Sequence, residues 1–287
     1  MRILVTGASG MLGTSVSKVF QDHDLILTGS LELDIRNIKQ VMSYANRKLD
    51  LILHLGAETD LSKAEFNPGD AYLTNHVGTQ NLLELAKNLN IPIVYIGTAM
   101  IFDGRKKAYS ENDKANPTNH YGRSKYYGEL AVRSYEKHYI IRSGWAFGGG
   151  PEIDKKFINK IFKQIRSGAK KLYGIKDIYG NPTYTIDFAK TLKNIVEAKI
   201  PYGTYNSSGK GKASRYGVLK AFVDFLGLSK KLELIPVTLN EYLTLFPSGF
   251  PYIKNEVLSI KRIEKTGLSQ MRDWRVALGD YSKEFKI

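Results

Sequence analysis

The sequence predicts an α/β protein: a doubly wound parallel sheet followed by a smaller C-terminal lobe. Three observations carry that prediction. Short apolar runs of strand length recur, separated by amphipathic helical segments. The first run leads straight into a glycine-rich turn, and the texture of the chain changes after Phe147. Strands that are apolar throughout, rather than alternating, belong to a sheet covered on both faces.

Arg2-Ile3-Leu4-Val5 is the first strand, and Thr6-Gly7-Ala8-Ser9-Gly10-Met11-Leu12-Gly13 turns it into a helix over 11–20. Three glycines spaced G-x-x-G-x-x-G between a strand and a helix form a dinucleotide cradle. Gly7 permits the tight turn, Gly10 lets the backbone approach a pyrophosphate, and Gly13 lets the helix sit close to the strand. The helix start, Gly10 to Leu12, then offers free N–H groups and a positive dipole to phosphate. Further strands are expected over 25–27, 51–55, 93–96 and 139–142, with helices over 38–48, 78–88 and 121–137. These strands complete a Rossmann sheet.

Gly148-Gly149-Gly150-Pro151 reads as a break. It divides a dinucleotide-binding domain, 1–148, from a region, 149–287, that is mainly a substrate-binding lobe with parts returning to the core. Helical pattern resumes over 157–164, 186–198 and 216–226, with short strands near 172–173, 204–206 and 232–236. The lobe is expected to close a cleft at the carboxyl edge of the sheet.

Composition narrows the function. The 287 residues carry a formal net charge of +14, but the lysines are scattered, as in Lys155-Lys156 and Lys230-Lys231. Nucleic-acid faces need a clustered basic stripe with stacking aromatics, so none is expected. No apolar stretch reaches the roughly 20 residues that span a bilayer. No signal peptide precedes the first strand. With no cysteine there are neither disulfides nor thiolate metal sites. The acids show no ligand pattern, so no protein-bound metal is expected. The expectation is a cytoplasmic enzyme for which a homodimer is a compatible assembly.

Tyr121-Gly122-Arg123-Ser124-Lys125 places a Tyr and a Lys on one helix face. A Lys ammonium beside a phenol is expected to lower its pKa, fitting Tyr121 for proton exchange with a carbonyl or alcohol. The same spacing recurs at Tyr44/Lys48 and Tyr216/Lys220, so context decides. Tyr121 follows the fourth strand, whose end, Gly97-Thr98, offers a hydroxyl for the reacting oxygen.

Together these landmarks resemble the extended short-chain dehydrogenase/reductases, and among them the dTDP-4-dehydrorhamnose reductase family, over nearly the whole chain. Tyr121-Gly122-x-Ser124-Lys125-x-x-Gly128-Glu129 is similar to that family's catalytic string. Leu33-Asp34-Ile35, His54-Leu55-Gly56-Ala57-Glu58-Thr59 and Asn75 resemble its cofactor-side segments, Asn75 at a helix irregularity. Arg142-Ser143-Gly144-Trp145-Ala146-Phe147-Gly148, Asp177-Ile178-Tyr179-Gly180-Asn181-Pro182-Thr183 and Trp274-Arg275-Val276-Ala277-Leu278 resemble its sugar-side segments. The resemblance implies Thr98, Tyr121 and Lys125 as catalytic residues. It adds Gly7, Gly10, Met11, Leu12, Ser30, Asp34, Ile35, Gly56, Ala57, Thr59 and Asn75 on the cofactor. It places Thr98, Trp145 and Thr183 on a nucleotide-sugar substrate.

Departures matter as well. Ala99 stands where that family carries a carboxylate facing the sugar, and Ile178 stands for its Gln. Ala99-Met100 also lacks the acid pair a dehydratase needs. An epimerase of the same fold, or a non-catalytic regulatory subunit like the relative that serves methionine adenosyltransferase, remains as an alternative. For the cofactor, the second strand ends Leu27-Thr28-Gly29-Ser30 with no carboxylate at its tip; Glu32 and Asp34 follow later. A carboxylate there selects NAD. NADP(H) is therefore expected to serve at least as well as NAD(H), with Ser30, Arg36 and Lys39 near the 2′-phosphate.

Overall fold

The computed structural model describes residues 1–286. A six-stranded, all-parallel sheet runs in the order Gly203–Asn206, His138–Ser143, Ile93–Thr98, Leu51–His54, Arg2–Thr6, Asp24–Thr28. Chain order reverses between Arg2–Thr6 and Leu51–His54. Ligands of open α/β sheets bind in the crevice at such a switch point, beyond the carboxyl ends of the strands. Gly7 and Gly56 face each other across this crevice. A Cβ on Gly7, whose φ is +69°, would come within 2.6 Å of the Gly56 nitrogen.

The expected strands are all present. Ile3, Val5, Leu51, Leu53, Val94 and Ile141 pack on one side against Val16 of the helix Met11–Val19 and against Phe20, its C-cap. Leu4, Ile52, Ile93 and Tyr95 pack on the other side against Leu82, Leu85 and Ala86 of the helix Gly78–Leu89. The helix expected over 38–48 divides into Ile38–Met42, at whose end Ser43 Oγ donates to the Gln40 carbonyl, and a 3-10 turn Ala45–Arg47 that Lys48 ends in a left-handed conformation (φ 54°). Sequence reading also passed over a helical run before Gly78: Leu61–Phe66, Pro68–Tyr72 and a π-helical stretch Leu73–Val77.

Beyond Gly148 the chain does not simply leave the first domain. The helix Thr185–Ala198 packs on Met11–Val19, where Ser15 Oγ donates to Thr185 Oγ1 at 2.7 Å. Phe188, Leu192 and Ile195 enter the sheet's core, and Gly203–Asn206 becomes its outermost strand. The lobe proper has its own core around Ile158, Leu172, Val218, Phe222, Leu278 and Tyr281. Its two parallel strands are Lys171–Ile175 and Glu233–Val237.

Candidate active site

The cradle is built as its glycines require. Gly13 has no room for a side chain, since a Cβ would lie 2.4 Å from the Ala8 carbonyl oxygen. Gly10 is different: a Cβ there meets only the Gly7 oxygen, at 3.4 Å. Protein packing does not demand a glycine at position 10, whereas close approach of a ligand does. Gly10 caps the helix with no side-chain hydrogen bond, and no acid occupies the first turn. The orphan N–H groups at Met11 and Leu12 and the helix dipole therefore suit a pyrophosphate. The Gly148–Gly150 segment is more than a break. Its three glycines hold φ of +128°, +81° and +93°, and Gly149 lies so close to Met11 that a Cβ would come within 2.7 Å of its Cα. Lys156, just beyond, donates from Nζ to the carbonyl and hydroxyl oxygens of exposed Thr59 at 2.9 and 3.1 Å.

A relay of side chains holds the opposite wall. Gly56 N–H donates to Thr6 Oγ1, which pairs at 2.8 Å with His54 Nδ1; His54 Nε2 lies 3.0 Å from Thr79 Oγ1, which donates to the Asn75 carbonyl. Only one donor order satisfies every member: Thr6 gives its proton to Nδ1, and Nε2–H donates to Thr79. Burial holds the His54 imidazole neutral, its pKa pushed down to about 3, with Lys125 adding to the shift. Asn75 is 1 % exposed. It accepts from Glu58 N–H and donates to the Glu58 carbonyl and to Ser124 Oγ, at 2.8 to 3.0 Å. It sits in the π-helical stretch and braces the 56–59 loop, with Gly56 and Ala57, against the helix that carries Tyr121 and Lys125.

That helix, His120–Arg133, starts at Asn119, whose side chain accepts from Gly122 N–H at 2.7 Å. Such a cap contributes ~1 kcal/mol. Glycine lets the helix press inward: a Cβ on Gly122 would come within 2.2 Å of the Met100 oxygen, and one on Gly128 within 2.2 Å of the Asn75 oxygen. Thr98, 7 % exposed, stands at the tip of the strand Ile93–Thr98, against which the helix bearing Tyr121 packs, and its hydroxyl accepts from Met100 N–H at 3.2 Å. Lys125 Nζ lies 4.1 Å from the centre of the Tyr95 ring, whose hydroxyl donates to the Lys125 carbonyl.

The electrostatics correct one expectation. Lys125 does not lower the Tyr121 pKa here. Burial raises it to about 12, Thr98 works against the rise, and Glu256 and Glu58 add to it. Lys125 is itself brought down to about 7 by burial, with Glu129 opposing. A phenol held protonated at neutral pH is suited to give a proton to an oxyanion.

The remaining predicted residues divide. Met11, Leu12, Gly56 and Ala57 line the crevice half-buried. Ser30 is exposed beyond the second strand, Ile35 is buried beneath Gly78, and Asp34 is held by a two-pronged pair with Arg36 at 2.8 and 2.9 Å. Arg36 is therefore already engaged. The tip of the second strand also differs from expectation. The chain folds back so that Glu32 Oε2 accepts from Gly29 N–H at 2.7 Å. A carboxylate does stand at the tip, which sequence position alone hid. Thr183 is 1 % exposed, donating to the Asn181 carbonyl and accepting from Gly209 N–H; it braces the wall behind the cleft rather than facing a substrate. Trp145 is half-buried, its Nε1 donating to Glu256 Oε1 at 2.9 Å. Glu256, buried at 7 %, and Arg215 were not legible in the sequence, because nothing local marks them.

Glu32 makes cofactor choice testable. Its charge opposes a 2′-phosphate and suits a free ribose hydroxyl. Glu32→Gln is expected to raise the NADPH-to-NADH ratio of kcat/KM about tenfold; steady-state kinetics with both cofactors would show an unchanged ratio if the side chain reads neither.

Among the described residues one surface group could hold a metal, Asp22, His23 and Glu197. The Lys193 ammonium already sits on Asp22 at 2.7 Å.

Compared with known proteins, residues 1–287 match the family model described as the RmlD substrate binding domain. The chain belongs to that family. It is 32 % identical to a dTDP-4-dehydrorhamnose reductase of Aggregatibacter actinomycetemcomitans, over 96 % of this chain and 97 % of that protein. Its fold matches the crystal structure of a dTDP-4-dehydrorhamnose reductase from Clostridium acetobutylicum at a TM-score of 0.91, with 30 % identity and 99 % of each chain covered. A Bacillus anthracis dTDP-4-dehydrorhamnose reductase solved in complex with NADP matches at 0.91, with 26 % identity and 99 % of each chain covered. The chain is an NAD(P)(H)-dependent oxidoreductase of that family.

Proposed function

We propose that this protein is a dTDP-4-dehydrorhamnose reductase, reducing the 4-keto group of a nucleotide deoxysugar with NADPH or NADH. The reading is supported by Thr98 at the end of the strand Ile93–Thr98 and by Tyr121 and Lys125 one turn apart on the helix packed against it, together with a glycine cradle that suits a pyrophosphate. When bound, the reduced nicotinamide supplies the hydride. Tyr121 gives its hydroxyl proton to the oxygen on C4 as charge develops there. Thr98 hydrogen-bonds the same oxygen and stabilises that charge. Lys125 hydrogen-bonds the nicotinamide ribose. Met11 and Leu12 N–H groups hold the pyrophosphate. Trp145 forms a wall for the sugar.

The reading includes a cytoplasmic enzyme acting without nucleic acid or membrane; among the described residues no helix is long and apolar enough to cross a bilayer. Exposed Leu73, Tyr127 and Leu130, on packed helices, offer an apolar face to a second copy in a homodimer. The test is a panel of dTDP-, UDP- and GDP-linked 4-keto sugars assayed for NADPH and NADH oxidation. Turnover confined to a dTDP-linked sugar supports the assignment, and turnover of none of them contradicts it.

A further inference from the structure

Trp145 is held in an uncommon state. Its φ of 42° lies in the left-handed region, which side chains other than glycine rarely adopt. The indole rests on Gly180, where a Cβ would come within 2.4 Å of the ring, and its Nε1–H is fixed by Glu256. Over this ring, 3.7 Å from its centre, lies the Arg215 guanidinium, which also lies 5.0 Å from the Phe157 ring. Among the described residues no side chain hydrogen-bonds or ion-pairs with Arg215; Glu256 and Tyr252 act on it only through space. Tyr252 packs both in the cluster that holds Tyr121 and in the cluster that holds Trp145, so the shelf under the guanidinium adjoins the proton donor.

The chemistry of that arrangement is specific. Stacking uses the face of the guanidinium and leaves its N–H fork free at the edge. Glu256, engaged with the indole N–H, acts on this cation only through space, so the guanidinium fork has no direct partner, and an incoming anion would give it one. Of the parts of a nucleotide sugar, only the diphosphate is anionic, and Arg binds phosphate oxygens in pairs. We infer that Arg215, stacked on the Trp145 shelf, is the anchor for the substrate's diphosphate. The inference rests on the nucleotide-sugar reading above and adds the residue that recognises the anion.

Calorimetric titration with dTDP, UDP, GDP and CDP, none carrying a sugar, tests it. Thymidine serves as the probe without phosphate, and NADPH reports on the cofactor cradle. Arg215→Gln retains a flat amide to stack on the indole and removes the charge. It is expected to weaken the nucleoside diphosphate that binds wild type best by about 30-fold, with thymidine and NADPH unchanged. Arg215→Lys, which keeps the charge but loses the fork, should recover part of the loss. KM for the nucleotide sugar should rise with little change in kcat. Unaltered diphosphate affinity in Arg215→Gln overturns the assignment, as does a wild type that binds none of the four. If the glutamine variant does not fold, wild-type affinity in Arg215→Lys overturns it equally. A wild type that binds UDP or GDP through Arg215 but reduces no dTDP-4-keto sugar would retain this anchor and discard the dTDP reading.

Discussion

Tyr121→Phe is expected to lower kcat by about 100-fold or more, while NADPH affinity and thermal unfolding stay as in wild type. The variant removes one hydroxyl from a half-buried ring whose apolar body packs with Met100, Phe250 and Ile253. Packing therefore survives, and what is lost is the proton for the oxygen on C4. Burial and nearby Glu256 and Glu58 hold that hydroxyl protonated, its pKa raised to about 12, so the acid form is ready throughout the neutral range. Tyr216→Phe is the control: the same removal on the other Tyr–Lys pair should be nearly silent. Rapid kinetics on both variants, with NADPH binding measured by fluorescence, separates chemistry from binding. Near wild-type turnover by Tyr121→Phe would remove this residue from the mechanism.

Gly10→Val is expected to abolish measurable NADPH binding in a protein that still folds. A Cβ at position 10 meets little of the protein, only the Gly7 oxygen at 3.4 Å, and Gly10 φ of −86° suits any L residue. The branched side chain would instead fill the space in front of the helix N-terminus, where the pyrophosphate must lie. Gly7 contrasts with it: there, positive φ and the 2.6 Å approach to Gly56 predict a folding defect for any side chain. Fluorescence titration with NADPH, alongside circular dichroism, distinguishes the two glycines. Normal cofactor affinity in folded Gly10→Val would show that the turn is not the cradle.

Residues that act through a local pattern were legible in the sequence. The apolar strands, the glycine spacing of the first turn and the Tyr121/Lys125 pair each depend on neighbours within a few positions. Residues that act through distant partners were not. Glu256 meets Trp145 across 111 positions of chain, and Arg215 reaches the same indole from the start of another helix. His54 read as part of a motif, but its buried relay between Thr6 and Thr79 needed three elements in place. The tip of the second strand misled because Glu32 returns to Gly29 by a turn. Thr183 misled because its motif sits on the cleft wall while its hydroxyl points into the protein. The Tyr121 pKa was misjudged because spacing predicts proximity to Lys125 but not burial, and burial dominates both groups.

A reductase of this kind must transfer hydride, net, to C4 of a nucleotide 4-keto sugar. That transfer is tested most directly by following purified enzyme with dTDP-4-dehydrorhamnose and NADPH deuterated at nicotinamide C4. One NADPH oxidised per sugar consumed and deuterium at C4 of the product hexose are expected, with both lost in Tyr121→Phe. Sugar isomerised without net NADPH oxidation would make this an epimerase, and binding of both molecules without any reaction would make it a non-catalytic subunit; either result rules out a reductase.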